Sequence, residues 1–333
     1  MKILYSPTHK QHKPKYEIFN GEKTPHQEVP ERIENIKKAL LANGYSVTKL
    51  SKQTPLSLIN QVHTSDYLGF FKSFKKKDSN YPSAFPFFHE NYGVNLKNKL
   101  ANHGKHCFDL YTPIFFNTWE IALNSASLAY QLAVDIKEGK IDYGYALCRP
   151  PGHHAEKNRM GGYCYLNNTA VAAQYLSLAG KVAVLDVDFH HGNGTQDIFY
   201  ERADVLTVSI HADPNWKFPY FSGFSNEIGL NQGEGKNINY PMAKGTTNQQ
   251  YQKNLEKALF KIQLHKPKYL VISLGLDTHI DDPIGGFKLS TDYYKIMAKT
   301  IKSLNLPTLI VQEGGYNTNK LGANVVSFLN GFN

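Results

Sequence analysis

The sequence predicts an α/β fold built around a mostly parallel β-sheet, and two observations support this prediction. First, six short apolar runs rich in β-branched residues are typical of strands that are buried on both faces. They span residues 2–5, 142–147, 181–187, 205–210, 269–274 and 308–311. Second, segments with apolar residues at helical spacing lie between these runs, and this alternation is typical of parallel sheets covered by helices.

Four of the intervening segments are predicted to form helices. Ile33, Ile36 and Leu40 share one face of the first helix. Asn167 is a candidate N-cap for the second helix, which ends before Gly180. The third and fourth helices cover residues 251–262 and 292–303.

The chain is predicted to form a single domain over residues 1–333, because no internal repeat or convincing linker interrupts the alternation. Residues 72–118 are the exception within that domain. They are rich in Pro, Asn and aromatic residues and have little periodicity, so they are predicted to be a long functional insertion.

Composition restricts the cellular compartment of the protein and the kinds of partner it binds. Only three cysteines are present, which is too few for a disulfide framework and favours a reducing compartment. Residues 1–15 lack the apolar core of a signal peptide, and no apolar stretch approaches the length of a membrane span. We therefore expect a cytoplasmic protein. The net charge of +9 raises nucleic acid or a membrane surface as partners, but no arginine-rich stripe is present and we expect neither.

Polar or glycine-containing motifs follow or end five of the predicted strands. They occupy residues 149–154, 186–191, 209–211, 275–277 and 313–316. Because the carboxyl ends of parallel strands meet at one edge of the sheet, these five motifs are expected to converge there. The convergence predicts an active site at this edge.

Asp186, Asp188 and His190 alternate along an extended segment, so their side chains point to the same side. Carboxylates at the end of an apolar strand are costly unless they are paired or bind a metal. Together with Asp277 from another strand end, Asp188 and His190 would provide three ligands and leave an open position, which is typical of a catalytic zinc site. The alternative is that Asp188 and His190 only cap their strand.

A protein base is needed as well, because two aspartates neutralise the charge of Zn²⁺ and leave its bound water less acidic. The tandem pair His153 and His154 supplies candidates, and Asp186 and Asn193 are the candidates that orient the two imidazoles. An amide cannot stabilise an imidazolium as a carboxylate can, so the two histidines are expected to titrate differently. Tyr316 follows two glycines and is predicted to donate a hydrogen bond to the developing oxyanion.

Together these residues resemble the histone deacetylase superfamily of zinc amidohydrolases, which is also called the arginase–deacetylase fold. The resemblance covers most of the chain and lies in residues 26–32, 149–154, 161–167, 186–196, 277 and 313–316. Gln27 stands where proline is usual in the first of these motifs. The resemblance implies a three-layer architecture in which helices flank an eight-stranded, mostly parallel sheet.

The resemblance also implies specific roles at the metal. Asp188, His190 and Asp277 would bind zinc, with Fe²⁺ as the alternative metal. A structural potassium ion is implied at the backbone of Asp186, Asp188, His190 and Ile210 together with the Ser209 hydroxyl.

Further roles are implied for the reacting groups and the substrate channel. His154 resembles the general base that later becomes the acid, and His153 with Asp186 resembles the electrostatic partner. Tyr316 resembles the oxyanion tyrosine, and Asn193 stands where some members have Asp. The channel would be lined by Gly162, whose carbonyl accepts the substrate N–H, and by the aromatic walls Tyr163 and Phe218.

Within the superfamily, two features are similar to bacterial acetylpolyamine amidohydrolases. One is the motif at residues 277–283, and the other is the insertion with its motifs at 81–86 and 108–114. In that subfamily the insertion builds a homodimer whose partner narrows the channel and contributes acidic residues. Glu90 is the candidate acid in this chain. The net charge of +9 is unfavourable for a polyamine, although salt screens this repulsion over about 8–10 Å.

The predicted function is zinc-dependent hydrolysis of the acetyl amide of acetylated polyamines or similar small cationic amines. The first alternative is a protein lysine deacetylase that acts on basic protein tails. The second is a catalytically inactive relative that binds a metal or nucleic acid.

Overall fold

The computed structural model describes residues 1–19, 21–73 and 104–333. Its strands are β1 (Lys2–Tyr5), β2 (Tyr16–Phe19), β3 (Glu22–Pro25), β4 (Val47–Lys49), β5 (Tyr143–Ala146), β6 (Val182–Asp186), β7 (Val205–Ala212), β8 (Asn237–Met242), β9 (Tyr269–Leu274) and β10 (Thr308–Gln312). Eight of them form one sheet in the order β4-β1-β5-β10-β9-β6-β7-β8, and every neighbouring pair is parallel. The remaining two, β2 and β3, form an antiparallel hairpin.

The predicted parallel sheet is confirmed, and the six predicted strands lie where the apolar runs are. Two strands of the sheet were missed, and both lie at its edges. Strand β4 has only three residues, and β8 contains Pro241 and two asparagines, so neither shows a continuous apolar run. The end of β7 was also predicted too early. The strand continues to Ala212, so the motif at 209–211 lies within the strand and not after it.

The helices in the described part of the chain are α1 (Glu31–Ala42), α2 (Leu56–Val62), α3 (Ser65–Lys72), α4 (Thr118–Lys137), α5 (Asn168–Ser177), α6 (Asn193–Phe199), α7 (Asn248–His265), α8 (Thr291–Lys302) and α9 (Thr318–Leu329). The predicted cap of α5 is present, since the Asn167 side chain accepts a hydrogen bond of 2.8 Å from the Ala170 N–H. Helix α4, which is buried along most of its length, was not among the predicted helices.

Two apolar cores, one on each face of the sheet, produce the three layers. Residues of α1, α7, α8 and α9 pack with one face, and residues of α2, α3, α4 and α5 pack with the other. Burial on both faces explains why the central strands are apolar throughout rather than alternating.

The predicted insertion at 72–118 lies only partly within the described residues. Its motif at 81–86 and Glu90 lie outside them. The part from Gly104 onwards packs against the segment around Met160, where Phe108 N–H donates to the Met160 carbonyl and Met160 N–H donates to the His106 carbonyl. This part of the insertion therefore reaches the edge of the sheet where the site residues lie.

Among the described residues, no helix is both long and apolar enough to cross a bilayer. The three cysteines, Cys107, Cys148 and Cys164, are free and buried.

Candidate active site and metal centre

Asp188, His190 and Asp277 come together where β6 and β9 end. One ligand atom from each lies within 4.8 Å of the other two, and all three side chains are buried. The His190 Nδ1 atom is 2.9 Å from the Asp277 Oδ2 atom and 3.5 Å from the Asp188 Oδ1 atom. Burial and the charge of Asp188 raise the pKa of Asp277 to about 7. The two neighbouring carboxylates therefore lack enough positive charge around them to offset their mutual repulsion. Two carboxylates and one imidazole converging without a lysine or arginine partner among the described residues fit a divalent metal cofactor.

Main-chain N–H groups orient the two carboxylates. Gly314 N–H donates to Asp188 Oδ2 at 2.7 Å, and Phe189 N–H donates to Asp277 Oδ1 at 3.0 Å. A Cβ atom at Gly314 would lie 2.5 Å from Asp188 Oδ2, so only glycine allows this approach. The glycine motif after β10 is thus required to complete the metal site that begins after β6.

The tandem histidines lie beside this trio, and their ring centroids are 4.0 Å apart. His153 Nδ1 is 3.0 Å from Asp186 Oδ2, and His154 Nδ1 is 2.7 Å from Asn193 Oδ1. Both predicted orienting contacts are therefore present. The Asn193 amide donates to Glu156 Oε1 at 2.9 Å, which directs its oxygen towards His154. His154 consequently carries its proton on Nδ1, and its Nε2 is free to accept another.

The pKa values of the two histidines shift in opposite directions. Burial lowers the pKa of His153, but Asp188 and Asp186 outweigh this effect and raise it to about 10. Burial and the neighbouring charge of His153 hold the pKa of His154 well below its ordinary value. In this arrangement His153 is the cationic member of the pair and His154 is the neutral one.

Glu313 belongs to the motif at 313–316, and the sequence predicts no role for it. Its Oε2 atom accepts hydrogen bonds from Gly152 N–H at 2.6 Å and His153 N–H at 3.1 Å, and Thr169 donates to Oε1. Burial raises the pKa of this carboxyl to about 7. Glu313 therefore fixes the main chain that presents the two histidines. The only signal in the sequence was its position directly after β10.

Tyr316 lies at the end of the loop after β10, with 9% of its surface exposed. Arg32 supports this loop from behind, donating to the carbonyls of Gly315 and Glu313 at 2.6 Å each. The guanidinium carbon is also 4.6 Å from the centre of the Tyr316 ring. Arg32 belongs to the motif at 26–32, so that motif contributes to the site through the tyrosine loop.

A cleft of about 250 Å³ opens onto these groups. Its lining comprises Glu17, Phe19, Thr24, Gln27, Tyr111, His154, Gly162, Tyr163, His190, Lys217, Phe218, Tyr220, Pro283, Ile284 and Tyr316. The Tyr163 ring is 5.8 Å from the Tyr316 ring, and the Phe218 ring is 5.0 Å from the His154 ring. The structure thus places the two predicted aromatic walls and Gly162 around one cleft.

Residues 161–163 form a tight turn at this cleft. Gly162 has a φ of 56°, and a Cβ atom there would collide with the His154 ring. Tyr163 also has a positive φ of 66°, which is uncommon for a residue with a side chain. Asp109 accepts a hydrogen bond from Gly162 N–H, and Thr112 Oγ1 accepts one of 3.0 Å from Tyr163 N–H. The described end of the insertion therefore holds the turn in place.

Comparison with known proteins agrees with this geometry. The family model for the histone deacetylase domain matches residues 26–332. An acetylpolyamine amidohydrolase of Mycoplana ramosa is 39% identical over 99% of each chain, and acetylpolyamine amidohydrolase 2 of Pseudomonas aeruginosa is 38% identical over 100% of this chain and 98% of its own length. The chain belongs to the histone deacetylase family.

Solved structures of the histone deacetylase family share the fold. The crystal structure of an acetylpolyamine aminohydrolase from Burkholderia pseudomallei matches 100% of this chain and 98% of its own with a TM-score of 0.94 at 38% identity. The predicted superfamily and its three-layer fold are thereby confirmed.

This member of the histone deacetylase family has two charged cleft residues that sequence reasoning missed. Glu17 lies on β2 with 5% of its surface exposed, and burial raises its pKa to about 7 despite a hydrogen bond with Tyr163. Lys217 is half-buried, and burial lowers its pKa. The ammonium of Lys217 lies 5.5 Å from the centre of the Phe189 ring. Neither residue belongs to an apolar pattern or a recognisable motif, which explains why neither was predicted.

The residues predicted to hold potassium lie beside the metal site. Asp186 and Ser209 are partners in the register of β6 and β7, and a cavity of about 10 Å³ borders both. The Ser209 hydroxyl is 2.7 Å from His211 Nδ1. Ile210 continues β7 next to Ser209.

Proposed function

We propose that this chain is a metal-dependent deacetylase that hydrolyses the acetyl amide of acetylated polyamines or similar small amines. One observation carries the proposal: the buried group Asp188, His190 and Asp277 opens onto the same cleft as the neutral His154 and the phenol of Tyr316. Two relatives that match this chain end to end are named acetylpolyamine amidohydrolases, which supports small acetylated amines over protein lysine as substrates.

The metal proposed for this site is Zn²⁺, with Fe²⁺ as the alternative, held by Asp188, His190 and Asp277. A divalent ion bound there supplies an electrophile for the amide carbonyl and makes water easier to deprotonate. The open side of the site faces the cleft through His190, which is the one ligand that lines it.

His154 is proposed as the general base. Its free Nε2 accepts a proton from the attacking water and later donates a proton to the departing amine nitrogen, so the products are acetate and the free amine. Asn193 keeps the Nδ1 proton in place during both transfers. His153, held by Asp186, keeps a positive charge next to the reacting groups and thereby opposes premature protonation of His154.

The remaining cleft groups position the substrate and stabilise charge. The Tyr316 phenol donates a hydrogen bond to the oxygen that becomes negative, and the Gly162 carbonyl accepts the amide N–H. Tyr163 and Phe218 enclose the alkyl chain of the amine between two aromatic faces. Glu17 provides a carboxylate in the cleft wall, which suits a substrate that carries a free ammonium group.

Several further parts of the proposal concern the whole protein. We propose that residues 1–333 form one catalytic domain and that a structural potassium ion binds at Asp186, Asp188, His190, Ser209 and Ile210. The insertion at 72–118 is proposed to form a homodimer interface and to bring Glu90 to the substrate. Cytoplasmic location remains a prediction based on composition.

The proposal is tested by steady-state deacetylation of N-acetylputrescine, N-acetylcadaverine and N-acetylspermidine beside an acetyl-lysine peptide, each with and without a chelator. Chelator-sensitive turnover that favours the acetylated polyamines is the expected result. A preference for the peptide would transfer the function to protein deacetylation. Absence of chelator-sensitive turnover on every substrate would contradict the proposed reaction on acetylated amines.

A further inference from the structure

We propose that Asp282 is a positioning residue for Tyr316 and acts by joining the loop after β9 to the loop after β10. This inference rests on the proposed role of Tyr316 as the oxyanion donor. Asp282 does not line the cleft and is not one of the metal ligands, and its hydrogen bonds place it to act on the reaction through the residues that it holds.

Asp282 contacts the main chain of the tyrosine loop directly. Its Oδ2 atom accepts a hydrogen bond of 2.6 Å from Tyr316 N–H and another of 3.1 Å from Asn317 N–H. Its Oδ1 atom accepts a third of 3.1 Å from Ile284 N–H in its own loop. One carboxylate thus satisfies three main-chain donors from two loops. Bonds to a charged acceptor are stronger than bonds between neutral groups.

The tyrosine loop needs such a contact because of its sequence. Gly314 and Gly315 precede Tyr316, and Gly315 has a φ of 113°, a conformation that few other residues adopt. Glycines leave the chain free to rotate, so the direction of the phenol is set by external contacts. Arg32 holds this loop through the carbonyls on one side, and Asp282 holds it through the N–H groups on the other.

A second contact strengthens the connection between the two loops. The Asn317 side-chain amide donates to the Asp281 carbonyl at 2.8 Å, while its oxygen caps α9. The residues after Asp282 in the chain, Pro283 and Ile284, line the cleft. Asp282 therefore connects one wall of the substrate cleft to the oxyanion donor. A displacement of the phenol by a fraction of an ångström would lower kcat more than it raises KM, because the hydrogen bond matters most in the transition state.

The first experiment compares Asp282→Asn with Asp281→Asn in the intact protein. Asparagine offers one acceptor and places an NH₂ group against a main-chain N–H, so at least one hydrogen bond is lost. For Asp282→Asn we expect kcat to fall by about 10- to 100-fold, with KM within about threefold and metal content unchanged. Asp281 is an exposed neighbour whose side chain makes no contact with the tyrosine loop, and its variant should retain kcat within about twofold. Equal effects of the two variants, or loss of metal from Asp282→Asn, would overturn the proposal.

A double-mutant cycle identifies the residue through which Asp282 acts. In a Tyr316→Phe background the phenolic hydroxyl is absent, so adding Asp282→Asn should change the residual kcat by less than about twofold. The same fold-loss in both backgrounds would mean that Asp282 acts independently of Tyr316, which contradicts the inference.

A third readout does not depend on turnover. Hydrogen exchange of the segment 313–319 should be faster in Asp282→Asn than in the wild type, and unchanged in Asp281→Asn. Asn317→Ser, which retains a capping side chain but cannot reach the Asp281 carbonyl, should give a smaller increase and serves if Asp282→Asn does not fold. Unchanged exchange in these variants would refute the connection between the loops. If the wild type lacks deacetylase activity but exchange responds as expected, the proposed function fails while the contact itself stands.

Discussion

His153 and His154 are adjacent in the chain, yet one is the cationic and the other the neutral member of the pair. The difference comes from their surroundings, since the carboxylates of Asp188 and Asp186 lie near His153, whereas the hydrogen-bond partner of His154 is the amide of Asn193. A carboxylate stabilises an imidazolium, whereas an amide oxygen only holds the tautomer. The number of carboxylates around each imidazole therefore separates the cationic histidine from the base.

Removal of the Tyr316 hydroxyl tests the oxyanion role. Tyr316→Phe should lower kcat by about 100- to 1000-fold because one preorganised donor is lost. Metal content, measured by elemental analysis, should stay at the wild-type level, since Tyr316 is not a ligand. His154→Ala should likewise abolish most activity and retain the metal. Near-normal turnover in either variant would refute the corresponding role.

The partner of His154 determines the pH dependence. In Asn193→Asp a carboxylate faces Nδ1, which stabilises the imidazolium and raises the pKa of His154 from its present low value. The base is then protonated up to a higher pH, so the acidic limb of the kcat/KM profile should move to higher pH. A profile measured between pH 5 and 9 checks this, and an unmoved acidic limb would show that another group is the base.

At the scale of elements, the site is built by loops that follow five neighbouring strands. Strands β5, β10, β9, β6 and β7 are adjacent in the sheet, and each is followed by a loop that contributes to the site. The strands themselves are buried and apolar, and their side chains pack against helices on both faces. Rigid strands with polar ends hold the ligands in place, and helices remote from this edge contribute stability without touching the chemistry.

Helix α7 provides a test of whether a helix remote from the site contributes to stability without affecting activity. Thr247 caps it in a reciprocal arrangement, because Thr247 Oγ1 accepts from Gln250 N–H and Gln250 Oε1 accepts from Thr247 N–H at 2.9 Å. Thr247→Ala should lower the free energy of unfolding by about 1 kcal/mol, measured by urea denaturation, with kcat/KM unchanged. Gln249→Ala, an exposed neighbour outside the capping arrangement, is the control and should have little effect. Loss of activity in Thr247→Ala would show that α7 is coupled to the site.

At the scale of the whole molecule, a buried charge cluster joins parts of the chain that are distant in sequence. Glu28 Oε1 is 2.7 Å from Arg32 Nη1 and 2.7 Å from Arg149 Nε. Arg32 in turn holds the tyrosine loop, and Arg149 begins the loop that presents the histidine pair. The segment before α1 is thereby connected to two of the site loops.

This cluster makes stability depend on pH. Burial opposes ionisation of Glu28, but Arg149 and Arg32 outweigh it and lower the pKa of Glu28 to about 2, below its ordinary value of 4.5. The stabilisation is therefore complete above pH 4.5 and is lost as the pH falls towards 2. Glu28→Gln leaves two buried arginines unpaired and should reduce the free energy of unfolding at pH 7 by about 3–5 kcal/mol. Urea denaturation from pH 7 to pH 3 should show that the difference between variant and wild type becomes smaller below about pH 4.5; a constant difference would contradict this account.

The sequence by itself determined the layer architecture and the candidate metal ligands, histidine pair and tyrosine of the site. Continuous apolar runs require burial on both faces, and polar residues at their ends can only meet at one edge, so the parallel sheet and its ligand-bearing edge follow from local pattern. Edge strands were missed because β4 and β8 are short or polar and have no such pattern.

The tertiary structure decided which strands are neighbours and which distant groups hold the site loops. The sheet order places β10 between β5 and β9, although about 160 residues separate β5 from β10 in the chain. Glu17, Lys217, Glu313 and Asp282 acquire their roles only through that arrangement. No local pattern predicts a role for any of these side chains, because the role depends on which main-chain donors and aromatic rings the folded chain brings to them. The local sequence pattern does not predict such contacts, because they depend on the order of the strands in the folded sheet.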